Sequence, residues 1–161
     1  MNRTAWTIGS AEPWSRIAPL YLDLSWNSYY VDGNRSYIVD LAWLPRLSLL
    51  RHLDMSFVDL GSARDWFQRV NMLPSLKVLR VSDCGLNGNV SASISISNLT
   101  HLEVLDMSHN AFTIPQFGNL SKLQYLDVSW NYYPGVDLAW SPHLSLLSHL
   151  DMSGVHLSSA K

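Results

Sequence analysis

The chain has 161 residues, 11 basic and 13 acidic side chains for a formal net charge of −2, 47% hydrophobic residues and one cysteine. That length supports one domain with its own core, while the near-balanced charge, with no Lys/Arg run, excludes an electrostatic footprint for nucleic acid or an anionic membrane surface. The lone Cys84 excludes an internal disulfide and a cysteine-based zinc cluster, and apolar runs broken every few residues by Ser, Asp, Arg or His exclude a membrane-spanning helix.

Residues 1–18 match no repeated pattern and are expected to stand apart from a repeat domain over residues 19–161. Glu12, Pro13 and Arg16 occupy the stretch where a secretory leader would be apolar, so no leader is predicted there. All 26 leucines follow, and they fall in phase with the frame Leu-x-x-Leu-x-Leu-x-x-Asn. A first copy carries Leu22, Leu24 and Asn27, with Pro19 in place of the leading Leu. Turn-formers Asp32, Gly33, Asn34 and Ser36 then predict a surface loop. Further copies carry Leu50, Leu53, Met55 and Leu60; Leu76, Leu79, Val81, Cys84 and Leu86; Leu102, Leu105, Met107, Asn110 and Phe112; Leu123, Leu126, Val128 and Asn131; and Leu147, Leu150, Met152 and Leu157. Anchors Leu22, Leu53, Leu79, Leu105, Leu126 and Leu150 stand 31, 26, 26, 21 and 24 residues apart, a spacing that marks about six repeats. Between the third and fourth copies, Ser91–Ser97 alternates Ser with Ala92, Ile94 and Ile96, the pattern of a short accessory strand. A longer duplication is nested in the repeats. The strings Asp40-Leu41-Ala42-Trp43 and His52-Leu53-Asp54-Met55-Ser56 return as Asp137-Leu138-Ala139-Trp140 and His149-Leu150-Asp151-Met152-Ser153.

Leu-x-Leu puts two apolar residues on one face of a short strand and the residue between them on the other. No single repeat can bury its leucines alone, so the strands are expected to stack in parallel and the chain to return through irregular or short helical segments. The fold class is therefore an α/β repeat, a leucine-rich repeat solenoid with a parallel concave sheet and an irregular or short-helical convex side. Strands are predicted at Tyr21–Leu24, His52–Met55, Val78–Val81, Val104–Met107, Tyr125–Val128 and His149–Met152. Asn27, Asn110 and Asn131 are placed to hydrogen-bond the backbone where each strand turns away. Val58 and Val155 have no side-chain donor and Cys84 only a weak one, so looser turns are expected at those three.

Ile114-Pro115-Gln116-Phe117-Gly118-Asn119-Leu120-Ser121-Lys122-Leu123 resembles the return segment of the plant-type leucine-rich repeat, and Leu86-Asn87-Gly88-Asn89-Val90 is a variant of it. Asp65-Trp66-Phe67-Gln68 followed by Asn71-Met72-Leu73-Pro74-Ser75-Leu76 is similar to a stretch found in plant receptor-like proteins of the disease-resistance type. From about Leu20 onward the chain thus resembles the extracellular repeats of plant receptor-like proteins and receptor-like kinases. The resemblance implies a non-catalytic module in defence or developmental signalling, extracellular or at the plasma membrane, that binds a peptide, protein or glycan and works with a co-receptor kinase. With no cysteine-paired caps, membrane span or kinase in the sequence, it reads as an internal piece of such an ectodomain. The alternative is an intracellular repeat adaptor, or a truncated receptor fragment without function.

Glycosylation is expected at Asn34, Asn89, Asn98 and Asn119, each followed two residues on by Ser or Thr. The side chains expected to line the concave face and contact a ligand are Tyr21, Trp26, Phe57, Lys77, Arg80, Asp83, Glu103, His109, Tyr125, Trp130 and His149, because exposed aromatic and charged groups anchor protein interfaces. Trp43, Trp66 and Trp140 fall on return segments and are expected to pack beneath the convex side. Asp, Ser and His recur in nearly every repeat, for example Asp106, Ser108 and His109. A hydrolase triad needs one specialised site rather than a ladder, and a calcium β-roll needs paired glycines this frame lacks. Neither catalysis, a cofactor nor a metal is predicted, and Cys84 is expected to be a buried turn residue.

Overall fold

A computed structural model describes residues 19–27, 40–87, 98–111, 120–131 and 143–155. Six three-residue strands form one sheet: β1 (Tyr21–Asp23), β2 (His52–Asp54), β3 (Val78–Arg80), β4 (Val104–Asp106), β5 (Tyr125–Asp127) and β6 (His149–Asp151). Their order in space is their order in sequence, and every neighbouring pair is parallel. The central leucines lie in one register, Leu22, Leu53, Leu79, Leu105, Leu126 and Leu150 side by side. Each strand ends one residue earlier than its Leu-x-Leu unit. The next amide still bonds the adjacent strand, as when Met107 N–H donates to Asp127 O at 2.8 Å, so the difference is the chain beginning to turn rather than a break in the ladder.

The core is the stack of frame leucines and their substitutes. Leu50, Leu53, Leu76, Leu79, Leu102, Leu105, Leu123 and Leu126 are buried, with Met55, Val81, Met107 and Val128 completing each inward row. Leu150 breaks the series at 45% exposed, since among the described residues no further strand lies beyond β6.

Returns that are described are short and weakly helical, as expected. A 3-10 turn spans Leu44–Arg46, with Pro45 inside it, and α1 spans Trp66–Val70. Trp66, Phe67 and Val70 recur on one side of α1, and that side is buried. Asp65 makes no capping hydrogen bond but holds Arg69 by an i,i+4 ion pair at 2.8 Å. Trp43 and Trp66 are both buried on these return segments, where their expected packing role places them. The expected accessory strand at 91–97 and Trp140 lie outside the described residues. An isolated parallel bridge joins Asn87 to Ala111.

Candidate ligand-binding face

The turn out of each strand is built the same way six times. Two residues after each Leu-x-Leu unit the backbone takes a left-handed conformation: Trp26 (φ 59°), Phe57 (62°), Asp83 (50°), His109 (53°), Trp130 (52°) and Gly154 (69°). Only the last is glycine, the residue that adopts this region without steric penalty, and for tryptophan and phenylalanine it is an outlying conformation. An inter-repeat hydrogen bond offsets the strain. The amide of each of the first five donates to the carbonyl of the next repeat's serine: Trp26 to Ser56 at 2.9 Å, Phe57 to Ser82 at 2.9 Å, Asp83 to Ser108 at 3.1 Å, His109 to Ser129 at 2.9 Å and Trp130 to Ser153 at 2.7 Å.

Behind this row sits the asparagine slot. The Asn110 amide nitrogen donates to Val81 O, Met107 O and Ser108 O at 2.8, 3.0 and 2.9 Å, and its Oδ1 accepts from the Cys84 and Leu86 amides, both at 3.1 Å. Asn131 donates to Met107 O, Val128 O and Ser129 O, while its Oδ1 has no partner among the described residues. The expectation of looser turns at Cys84 and Val58 is corrected in one respect. Cys84 occupies the slot as asparagine does, its Sγ reaching Met55 O at 3.1 Å and Ser82 O at 3.4 Å. Met55 O is the carbonyl that Asn110 and Asn131 satisfy in their preceding repeats, so Cys84 supports the turn at Val58. Both turns keep the left-handed residue ahead of the slot.

Burial pushes the Cys84 thiol up to about 12 from its ordinary 9.0. The folded thiol therefore stays protonated where an unfolded one ionises, and the stability this carries is complete below pH 9 and lost as pH rises toward 12. Native protein should react negligibly with a thiol reagent at pH 8 and fully in denaturant, and Cys84→Ala should flatten the fall in urea midpoint above pH 9. Rapid native labelling, or an unchanged slope in the variant, would contradict this.

On the open face of the sheet the outward residues form parallel rows. One row holds the first strand residues, Tyr21, His52, Val78, Val104, Tyr125 and His149. Tyr21 stacks on His52 with ring centroids 4.1 Å apart, and Tyr125 on His149 at 4.4 Å. A middle row holds Asp23, Asp54, Arg80, Asp106, Asp127 and Asp151. The left-handed residues make the third row, in which Trp26 stacks on Phe57 at 3.8 Å and His109 on Trp130 at 6.0 Å. Gly154 is required beside Trp130: a Cβ there would lie 3.0 Å from two indole carbons.

Of the eleven expected contact residues, Tyr21, Trp26 and Phe57 gather at the β1–β2 end, and His109, Tyr125, Trp130 and His149 at the β4–β6 end. Tyr21, Trp26 and Trp130 are 60%, 70% and 60% exposed. Arg80 and Asp83 lie between the two groups. Lys77 and Glu103, one step before their strands, bind each other at 2.6 Å and present a neutralised pair rather than two free charges. Asn98 is exposed on its turn; Asn34, Asn89 and Asn119 lie outside the described residues. His52, outside the expected set, joins the face through its stack with Tyr21. The aspartates, expected to serve neither catalysis nor metal binding, are arranged in another way. Five of the six strands carry one outward aspartate, with Oδ1 accepting the amide of the serine two residues on, at 2.8–3.1 Å in Asp23, Asp54, Asp106, Asp127 and Asp151, and β3 carries Arg80 there. The hydroxyls of Ser25 and Ser153 hold Asp23 and Asp151 below the usual carboxylate range. Burial, then the nearby Asp127 and Asp106, push the Tyr125 phenol up, while burial and then Arg80 lower the His52 imidazole.

A family model for the leucine-rich repeat matches residues 101–120, the stretch that carries β4 and its turn. The chain is a leucine-rich repeat solenoid. Receptor-like protein EIX1 of Solanum lycopersicum is 32% identical over 134 residues, which cover 75% of this chain and 13% of that protein. Receptor-like protein 41 of Arabidopsis thaliana is 39% identical over 93 residues, covering 55% of this chain and 10% of its own length. The solenoid thus spans about a tenth of the curated plant receptor-like proteins to which it is related. Its backbone superposes on an internalin from Listeria monocytogenes with a TM-score of 0.54 over 80% of this chain and 42% of that one, at 19% identity, a likeness of fold alone. Among the described residues, no helix of the solenoid is long and apolar enough to cross a membrane.

Proposed function

We propose that this solenoid is the recognition part of a plant cell-surface receptor, non-catalytic, with its open sheet face taking up a peptide, protein or glycan and a partner kinase carrying the signal onward. The observation that carries this reading is the row of large side chains held left-handed on that face. Non-glycine residues in this region cost about 1–3 kcal/mol each, and such strain gathers where a fold positions groups for a ligand. Hydrogen bonds to the next repeat hold these backbones, and Trp26 and Trp130, mostly exposed, add little to the core, which leaves their indoles to a ligand. The sequence relatives support the receptor setting, and the sequon at the exposed Asn98 agrees with passage through a secretory compartment.

Secreted from plant cells behind an added leader, the solenoid should show an endoglycosidase-sensitive mass shift, reduced by Asn98→Gln. Its binding to extracellular fluid components should weaken about tenfold in Trp130→Ala or Tyr125→Ala with the circular dichroism spectrum retained, since exposed aromatic anchors dominate interfaces. Absence of any glycan shift would favour the intracellular adaptor, and loss of folding in both variants would make the aromatics structural.

A further inference from the structure

The middle row of the open face gives its ligand a sign. It holds five carboxylates and one guanidinium, and from β4 to β6 it is acidic without interruption: Asp106, Asp127 and Asp151 lie side by side in register. Like charges directly opposite on neighbouring strands are unfavourable, yet this ladder places three in succession about 4.8 Å apart. One oxygen of each is spoken for by its serine amide. The Oδ2 atoms of all three make no hydrogen bond or ion pair with a described residue, although Lys77 is drawn to Glu103 and Arg69 to Asp65 elsewhere on the molecule. Aromatic rings border the row on both sides, the Tyr125–His149 stack on one and the His109–Trp130 stack on the other. Gly154 leaves room for the exposed Trp130 indole.

A floor of unpaired carboxylates between aromatic walls is complementary to an ammonium or guanidinium group. The carboxylates supply charge-assisted hydrogen bonds, and the flanking aromatic stacks pack against the apolar stem that carries the cation. An anionic ligand would meet an unbroken negative row, and a purely apolar one would desolvate it without compensation. Arg80, at the centre of the sheet, lies between Asp54 and Asp106, and the β4–β6 end, with three carboxylates where β1–β3 has two and this guanidinium, is the more acidic half. Three carboxylates span roughly 10 Å, between the separations of about 7 Å and about 13 Å for residues two and four apart on the same face of an extended chain.

We infer that the β4–β6 end of the open face binds an extended basic peptide segment, with two Lys or Arg side chains two or four residues apart seated over Asp106, Asp127 and Asp151 between the Tyr125 and Trp130 rows. This rests on the open face being the recognition surface and adds the charge of what it recognises.

The test is a selection of random displayed peptides of roughly a dozen residues on the full chain, followed by fluorescence anisotropy with synthetic forms of the selected peptides. Peptides enriched in Lys or Arg at the stated spacing are expected. They should lose affinity about tenfold or more in an Asp127→Asn/Asp151→Asn variant, lose affinity in Trp130→Ala, weaken as salt is raised, and bind Asp65→Asn within about twofold of the parent chain. Asparagine keeps the Oδ1 acceptor for the serine amide, so the double variant removes charge without removing the turn. Selection of acidic or neutral peptides that depend on Trp130 but not on the aspartates would overturn the basic-peptide assignment and leave the recognition face standing. Peptides indifferent to every open-face substitution would overturn both. Failure to enrich any peptide, or binding of a glycan array through Trp130 instead, overturns the peptide assignment.

Discussion

Asn110→Ala should cost the solenoid about 4 kcal/mol, read as a fall in urea midpoint with folding still cooperative. Three buried backbone groups have no other partner among the described residues once the amide is removed: the Cys84 and Leu86 N–H groups and the Val81 carbonyl. Each orphaned buried group costs about 1–3 kcal/mol. Met107 O and Ser108 O are spared, because Asn131 Nδ2 and Asp83 N–H also reach them. The same bookkeeping separates otherwise identical positions. Asn131→Ala strands only Val128 O, since Met107 O keeps Asn110 and Ser129 O keeps His109 N–H. It should cost less than half as much. Asn110→Cys, imitating Cys84, retains a donor toward Val81 O but no acceptor for the two amides, and should fall between alanine and the parent. Equal losses at Asn110 and Asn131 would show that the slot acts by volume rather than by hydrogen bonding.

Leu105→Ala should destabilise by about 3 kcal/mol, within the roughly 2–5 kcal/mol usual for a buried leucine whose surroundings cannot collapse. Leu105 is fully buried between Leu79 and Leu126 in the stacked register, so the cavity opens in two inter-repeat interfaces at once. Stability in a solenoid is approximately a sum of repeat and nearest-neighbour terms, and an interior repeat contributes to two of the latter. Leu150 occupies the same frame position, but at 45% exposed and with β5 as its one described neighbour it has less to lose. Leu150→Ala should cost under about 1.5 kcal/mol. Comparable losses for the two, measured by denaturant unfolding, would mean that the outer face of β6 is covered in solution.

The two variants also mark what was legible beforehand. Both leucines carry the same frame letter, so their place on the inward face followed from spacing alone, whereas their difference in burial follows from position along the stack. Cys84 shows the converse. As a thiol in an asparagine slot it suggested a weakened turn, yet the geometry of stacking brings its Sγ to Met55 O, a carbonyl to which Val58 offers its backbone amide but no side-chain donor. In sequence Lys77 and Glu103 are two separate charges 26 residues apart. Parallel pairing of β3 with β4 sets them beside each other and lets them neutralise one another. His52 looked like part of a duplicated string and became a face residue because Tyr21 lies over it.

The sequence by itself determined six parallel strands, their order and their inward residues. A period of two within each Leu-x-Leu unit assigns faces, and a recurring anchor that cannot bury itself alone compels stacking in register. It also placed an aspartate on the outward face of every repeat but that of β3, although their joint meaning required neighbouring strands to be set side by side. Tertiary structure alone decided the left-handed row. Nothing in the intrinsic preferences of Trp26, Phe57, Asp83, His109 and Trp130 is common to all five, and the bulky ones disfavour that conformation. They adopt it because each amide reaches the next repeat's serine carbonyl, a partner that exists only once the repeats have stacked.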